Sequence, residues 1–336
     1  MKLSSPPTRW ALTSVIAAAM KYGPTKIPRI AYELDMPVET CRYYLKKFYE
    51  AGFRLQPVVD YWALGLAPTL IFIRFDRRVP AAKKQTLLSW LDTVYVVYRA
   101  PLGNDREQII LMVPPKGDEK ALQEILAMLK GADLLEDFFL AQITDGYYLP
   151  EWVTMYDFIN SSWSSKVDVR VPQISVSNGF DEKQFDETDL TLIEEIEVEP
   201  KVKMKKISAK HGVSPQLLSY HREKHVEGTR LITGYVPLRR TAYQDVNIVF
   251  ITQLEESIKD SELKNYHFST WKLKRRNLIR FHIPADADFA YPAPVLNVTA
   301  LGVRWFTVPR EHFIDGKWVA LESFVERVTS LIKIVA

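Results

Sequence analysis

One cysteine, Cys41, stands in 336 residues. That excludes an intramolecular disulfide framework and a cysteine-based zinc finger, and it suits a reducing cytoplasm. No stretch approaches the ~18 consecutive apolar residues that a membrane span needs. A Gly-rich phosphate loop, a nucleophile elbow and a pair of catalytic carboxylates are all missing, so the sequence points to a protein that is not an enzyme and carries no cofactor. Charge of one sign is also lacking. Lys+Arg 44 against Asp+Glu 41 leaves +3, too small a surplus to diagnose a polyanionic partner. Asn and Gln together are 17 of 336 residues, a weak lean towards a heat-loving, archaeal-like source. What is present is ordinary: 47% apolar and 25% charged residues, the composition of a soluble globular chain long enough for two or more domains.

The chain repeats itself. Sliding the sequence by 177 positions lays residues 10–73 on 187–250 without a gap. Val15 and Ile16 meet Leu192 and Ile193, Ile27 and Ile30 meet Met204 and Ile207, and Met36 meets Val213. Tyr43, Lys47 and Glu50 fall on Tyr220, Lys224 and Glu227. Only eight of the 64 positions are identical, so apolar spacing and turn placement carry the match.

Both copies read alike locally. Leu12, Val15, Ile16 and Ala19 recur at a helical period over residues 10–22, and Gly23-Pro24 breaks that helix. Lys2, Arg9 and the apolar stretch Trp10–Met20 also resemble a signal peptide, but the recurrence makes this stretch the first helix of a module. A second helix carries Ile27, Ile30 and Leu34, and a third runs from Glu39 to about Tyr49. In copy two the helices are Asp189–Glu197, Lys205–His211 and Pro215–Glu227, with Ser214 as N-cap before Pro215. Three short helices with a tight turn before the third make a helix-turn-helix. Phe53–Val59 and Arg230–Pro237 then read as small β wings.

The rest of copy one reads β-α-β-β-α-β: strands Thr69–Phe75, Val94–Arg99, Gln108–Val113 and Asp137–Thr144, with helices Ala81–Leu91 and Asp118–Leu129. That order gives a ferredoxin-like sheet. Copy two shows strands Val246–Gln253, Tyr266–Leu273, Leu278–Ile283 and Val303–Val308, while Pro292 and Pro294 argue against a helix in 285–302. The expected fold class is α+β, two diverged copies of a winged helix-turn-helix followed by a ferredoxin-like domain. The expected divisions are 1–60, 61–160, a linker 161–184, then 185–240 and 241–336.

The segment Asp60-Tyr61-Trp62-Ala63-Leu64-Gly65-Leu66, leading into Leu70-Ile71-Phe72-Ile73-Arg74-Phe75, resembles the Lrp/AsnC family of feast/famine transcription regulators. There a linker strand with an Asp…Leu-Gly motif joins the DNA-binding domain to a ferredoxin-like effector domain. The loop Leu102-Gly103-Asn104-Asp105 resembles the family's Gly-Asp turn near its amino-acid effector site, so the resemblance implies an effector contact at Gly103, Asn104 and Asp105. This chain departs in carrying two modules, and in having Lys274-Arg275-Arg276-Asn277 where copy two's effector turn would be.

Candidate DNA contacts follow from the third helices. Copy one offers Thr40, Arg42, Tyr43, Lys46 and Lys47; copy two offers Gln216, Ser219, Tyr220, Arg222 and Lys224. Between Pro200 and Arg240 there are ten Lys/Arg against two acids, whereas 186–199 holds seven acids and no base, the polarisation expected beside a recognition helix. All six histidines (211, 221, 225, 267, 282, 312) lie in copy two. His221 and His225 have the spacing of a metal-chelating pair, yet without a neighbouring Glu motif or cysteine they read as helix-surface residues, and no metal is expected. Cys41 reads as a packing residue, and the aromatics Tyr147, Tyr148, Trp152, Tyr156, Phe158 and Trp163 as packing on the first sheet or between copies.

The favoured expectation is therefore a cytoplasmic regulator that reads an asymmetric double-stranded DNA site with two unlike helices. It would self-associate through its sheets, take a small effector and have no membrane partner. Two alternatives stand. Haem-biosynthesis decarboxylases acting on sirohaem resemble the same two-domain fold as paired subunits, and the histidines and the basic run Lys272–Arg276 with Arg280 would suit tetrapyrrole carboxylates. A winged-helix adaptor of the transcription machinery is the other.

Overall fold

A computed structural model describes residues 7–102, 104–148, 151–160, 162–177, 184–239, 245–252, 267–273, 276–284, 299–300 and 304–335, with the strands between 245 and 300 described as backbone. It is a mixed α/β chain in which every described strand pairing is antiparallel.

Three helices open the chain: α1 (Pro7–Tyr22), α2 (Ile27–Glu33) and α3 (Val38–Glu50). The stretch that resembles a signal peptide is α1, and it buries Leu12, Val15, Ile16, Ala19 and Met20 in the core. No helix among the described residues is long and apolar enough to cross a membrane. The later helices α6 (Glu187–Val198), α7 (Met204–His211) and α8 (Pro215–His221) repeat this set. The second helices begin at 27 and 204 and the third at 38 and 215, in both cases 177 apart. The turn between them uses a left-handed residue at the same offset, Asp35 (φ 48°) and Gly212 (φ 72°). Ser214 caps α8 by accepting from the Leu217 N–H at 3.2 Å.

Strand β1 (Phe53–Val59) and its counterpart β7 (Ile232–Arg239) are not free wings. They pair with each other, Pro57 opposite Tyr235 and Val58 opposite Gly234. Under the 177 offset Pro57 corresponds to Gly234 and Val58 to Tyr235, so the ladder is centred on a local two-fold relation. Across this seam Lys26 bridges Glu223 and Glu227 at 3.3 and 3.1 Å, and Lys201 sits 3.5 Å over the Tyr49 ring.

The main sheet begins with β2 (Thr69–Phe75), β3 (Val96–Leu102), β4 (Asn104–Met112) and β5 (Leu135–Tyr148), in the order β5-β2-β4-β3. Helices α4 (Ala81–Leu91) and α5 (Glu119–Gly131) cover one face. Ala121, Leu122, Ile125, Leu126 and Leu129 form the buried stripe of α5, and Ile71, Ile73 and Phe75 are the strand residues buried beneath the helices. Beyond Ile143, β5 leaves β2 and pairs with β6 (Ile174–Ser177) on one side and β9 (His267–Leu273) on the other. From β9 the sheet continues through β10 (Arg276–Pro284), β8 (Asp245–Thr252) and β11 (Thr299–Ala300). A short β12 (Arg304–Trp305) pairs with β3 at the opposite end.

Laid flat, nine strands would hold the sheet's ends about 38 Å apart at about 4.8 Å per strand. Ala300 and Arg304 are only four residues apart along the chain, about 15 Å at most. The sheet therefore curls, and Thr299–Ala300 lies against β3 as well as β8. A terminal helix, α9 (Val325–Val335), packs on α4 and α5.

The segment 151–158 lies between the main sheet and the first helices, with 151–154 against β9 and α1. Trp152, Tyr156 and Phe158 cluster with Phe48 of α3 and Phe53 of β1 at centroid distances of 4.9–6.1 Å. The expected linker 161–184 also contributes β6 to the sheet, with Ile174 and Val176 buried. Asn178-Gly179 and most of 285–302 lie outside the described residues.

Glu197 of α6 joins three segments. Its Oε2 accepts from the Val308 N–H at 2.6 Å, its backbone oxygen accepts from Gln56 Nε2 at 3.2 Å, and the Tyr61 hydroxyl also reaches the carboxyl. Burial, with Glu194 nearby, pushes this carboxyl up to about 8, although the Val308 and Tyr61 donors pull the other way.

Two tests follow from these contacts. A Cβ at Gly234 would stand 2.8 Å from Ile174 Cδ1 and 3.2 Å from the Met20 oxygen, so Gly234→Val should cost about 1–3 kcal/mol in denaturant unfolding. Glu197 binds its proton more tightly folded than unfolded. Its contribution is complete below about pH 4.5, the ordinary value, and is lost as pH rises through about 8. Thermal midpoints measured from pH 5 to 9 should fall in the native chain, and should fall less in Glu197→Gln.

Candidate functional site

The third helices present the predicted contact residues unequally. On α3, Arg42, Tyr43 and Lys46 are exposed, Thr40 and Lys47 half-buried, and Cys41 faces inward, where burial raises its thiol pKa. The cations are engaged on their own helix. Arg42 pairs with Glu39, and Lys46 and Lys47 with Glu50 at 3.7 and 3.1 Å. On α8, Gln216, Ser219 and Tyr220 are exposed and Lys224 follows in the exposed part of the next turn. Arg222 is not a surface reader. It is buried, with Nε on Glu227 at 2.7 Å and Nη2 on the Thr25 hydroxyl at 2.7 Å. The offset that aligns the copies maps Arg222 onto Leu45, itself buried, and that signal was present in the sequence. The helix also ends at His221 rather than Glu227, because Arg222–Val226 forms one turn of π-helix.

The histidines are not surface residues as a group. His221 Nδ1 lies 2.9 Å from Asp189 Oδ1 and His225 Nδ1 lies 3.1 Å from Asp189 Oδ2, with Asp189 fully buried. His211 meets Glu195 at 2.9 Å, and His312 faces the Thr93 carbonyl at 2.8 Å between Tyr95 and Phe324. His267 and His282 occupy β9 and β10. Of the expected effector loop, Gly103 lies outside the described residues, and Asn104 and Asp105 open β4.

The curled sheet has a second face, turned away from α4 and α5. Leu70, Phe72 and Arg74 alternate onto it from β2, with Ile109 and Leu111 from β4 and Phe139 and Ala141 from β5 as cross-strand partners. Phe72 and Phe139 stand side by side there, ring centroids 6.1 Å apart, and Phe139 is exposed. The face continues into the second half. Ile143 shares a cross-strand row with Leu273 and Arg276. The register then shifts by one residue at Thr144, a bulge that keeps Gly146 and Tyr148 on the same side. Tyr148 shares a row with Ser269, Arg280 and Val249; one step further, His282 lies opposite Asn247 and Ala300. Arg276, Arg280 and His282 therefore fall on the face that carries Phe72 and Phe139. Lys272 alternates to the other face, and Lys274 and Arg275 lie outside the described residues.

No family model matches the sequence, and no curated protein is significantly similar to it. Among solved structures, the chain is similar over 97% of its length, and 99% of the other's, to the crystal structure of the siroheme decarboxylase NirDL, at TM-score 0.50 and 11% identity. It shares that fold. A co-complex of NirDL with an iron-uroporphyrin III analogue matches at TM-score 0.48 and 10% identity over 97% of this chain and 100% of that one. PH0061 matches 43% of this chain and 94% of its own at TM-score 0.30 and 15% identity. The NirDL fold is compatible with the Lrp/AsnC resemblance of the sequence.

The expectations of a transcription regulator, of double-stranded DNA as partner and of a protein that is not an enzyme are corrected by this similarity, because the full-length fold neighbour is an enzyme of tetrapyrrole chemistry. The physical reasons agree. One expected reader, Arg222, is buried, three expected cations are paired within α3, and the strands expected as wings are consumed in pairing with each other.

Arg222→Ala should accordingly act on stability. Breaking a fully buried ion pair costs about 3–5 kcal/mol, and with Glu227 partly exposed about 2–3 is expected from chemical unfolding.

Proposed function

We propose that the chain is a tetrapyrrole decarboxylase of the sirohaem-processing type, built from two fused, diverged copies of a helix-turn-helix and ferredoxin-like unit, with divisions near residues 60, 160, 184 and 240. The observation that supports it most is the end-to-end likeness to the NirDL fold, joined to a sheet face that Phe72 and Phe139 share, by strand register, with Arg276, Arg280 and His282.

The substrate class is a macrocycle with an apolar π-face and a rim of carboxylates. An aromatic pair such as Phe72 and Phe139 offers a stacking surface. Arg276 and Arg280 supply guanidinium groups suited to bidentate carboxylate binding. In the reaction the C–C bond to one peripheral carboxylate breaks, its electron pair stays on the carbon attached to the ring, and CO2 leaves. A proton then forms the new C–H bond, so no oxidant or reductant is consumed. His282, on the same face, is the residue whose ordinary pKa suits holding that proton near neutral pH. The reducing, cytoplasmic setting suggested by the single cysteine is consistent with this chemistry.

Titrating the purified chain with sirohaem or iron-uroporphyrin under anaerobic conditions should shift the Soret band. Mass spectrometry should then show product lighter by CO2. Arg276→Ala and Arg280→Ala should each weaken binding about tenfold, the equivalent of 1.4 kcal/mol, and His282→Gln should retain binding but lose turnover. An unchanged Soret band refutes the reading, and binding without CO2 loss leaves a tetrapyrrole carrier in its place.

A further inference from the structure

In copy one, Leu12, Tyr44 and Phe48 lie where α1 meets α3, and Leu12 and Phe48 are fully buried. Add 177 to each number and the trio becomes Asp189, His221 and His225. Copy two has replaced an apolar contact by a carboxylate and two imidazoles at the same place in the fold. Asp189 has no exposed surface, His221 is 9% exposed and His225 34%. Burying such groups costs free energy unless each finds a partner, so the exchange is not neutral.

The backbone departs from regularity at the same place. The π-helical turn Arg222–Val226 carries His225, and such turns often accompany functional positions. It closes with the Glu227 N–H on the Arg222 carbonyl at 2.8 Å. Both rings present Nδ1 to the same carboxylate, one to each oxygen, and these donor atoms lie within 4.8 Å of one another. Asp189 is in turn fixed by a capping box: its Oδ2 accepts from the Asp186 N–H at 3.0 Å while Asp186 Oδ1 accepts from the Asp189 N–H at 3.1 Å.

From this arrangement we infer that Asp189, His221 and His225 form a binding site for a late first-row divalent cation, Zn2+ in the first instance, that clips the start of α6 to the end of α8. Three donors each about 2.0–2.1 Å from a tetrahedral ion stand about 3.3 Å from one another. The observed 2.9 and 3.1 Å separations run to different oxygens of Asp189, and with one donor atom from each residue lying within 4.8 Å of the others, no pair need move by more than about 1.5 Å to reach that spacing. Imidazole nitrogen with one carboxylate is a donor set that suits zinc, nickel and copper rather than magnesium or calcium. Each neutral ring shifts its proton from Nδ1 to Nε2 as the metal takes Nδ1. Asp186 Oδ1, 3.7 Å from His221 Nδ1, is a further oxygen beside the site, and water completes the shell. The site lies on the helical unit, away from the sheet face of the proposed decarboxylase, and does not depend on that activity. Its effect is on stability, since an ion that binds only the folded chain stabilises it.

The test uses the full chain, stripped with a chelator and titrated with Co2+. One equivalent should bind with the intense visible bands of a tetrahedral ion, be displaced by Zn2+, and raise the thermal midpoint. His225→Gln changes the more exposed ligand and should weaken Co2+ binding at least tenfold. The triple variant Asp189→Leu, His221→Tyr, His225→Phe restores copy one's apolar trio; it should fold without metal and lose both the bands and the metal-dependent thermal shift. Failure of the native chain to bind Co2+ or Zn2+ in large excess overturns the site. So does binding that survives in His225→Gln and the triple variant, which would place the ion elsewhere.

Discussion

The structure depends on one strand serving both halves of the main sheet. Over its first eight residues the 14-residue β5 pairs with β2, and over its last four or five it pairs with β9 and β6. A single bulge at Thr144 reconciles the two registers. Without it, alternation would turn Gly146 and Tyr148 to the other side, and the face carrying Phe139 would not continue into that carrying Arg276 and Arg280. The short strands β11 and β12, only a few residues apart, do the corresponding work at the far edge, tying β8 to β3. Antiparallel edges left open invite pairing with other chains. Here each half covers an edge of the other.

The helical layer uses the same device on a smaller scale. The strands that follow the third helices pair about a local two-fold centre, so two modules that elsewhere would present free wings form one unit. Around that centre the copies diverge in a consistent direction. Copy one fills its helical core with Leu12, Met20, Leu45 and Phe48, and copy two has Asp189, Glu197, Arg222 and His225 at the corresponding positions. Each of these polar residues has found partners: two imidazoles, the Val308 amide, Glu227 with Thr25, and Asp189. At these positions copy two therefore gains specific contacts to copy one, at Thr25, and to the C-terminal segment, at Val308, where copy one has apolar side chains.

The repeat, its three-helix pattern and the strand order of copy one were legible because they rest on local periodicity and turn chemistry. Helix starts at Ile27 and Met204, and the Ser214 cap, need only the residues within one turn. Arg222 reads as exposed because it is a charge on a predicted helix, yet it is buried, as its equivalent Leu45 is. The two histidines looked like a surface pair because Asp189, their partner, is more than 30 residues away in sequence. Function was misassigned for a related reason. A helix-turn-helix is a shape, and whether it meets DNA is decided by what covers it and what lies beside it.

By itself the sequence determined the mixed α/β character and the helix pattern that recurs 177 residues on, since hydrophobic period, capping residues and glycine turns act over a few neighbouring positions. Tertiary structure alone decided which strands joined the halves, which charges were buried, and which residues shared a face. Those outcomes depend on register and packing between segments far apart in the chain, where a shift of one residue reverses every side chain.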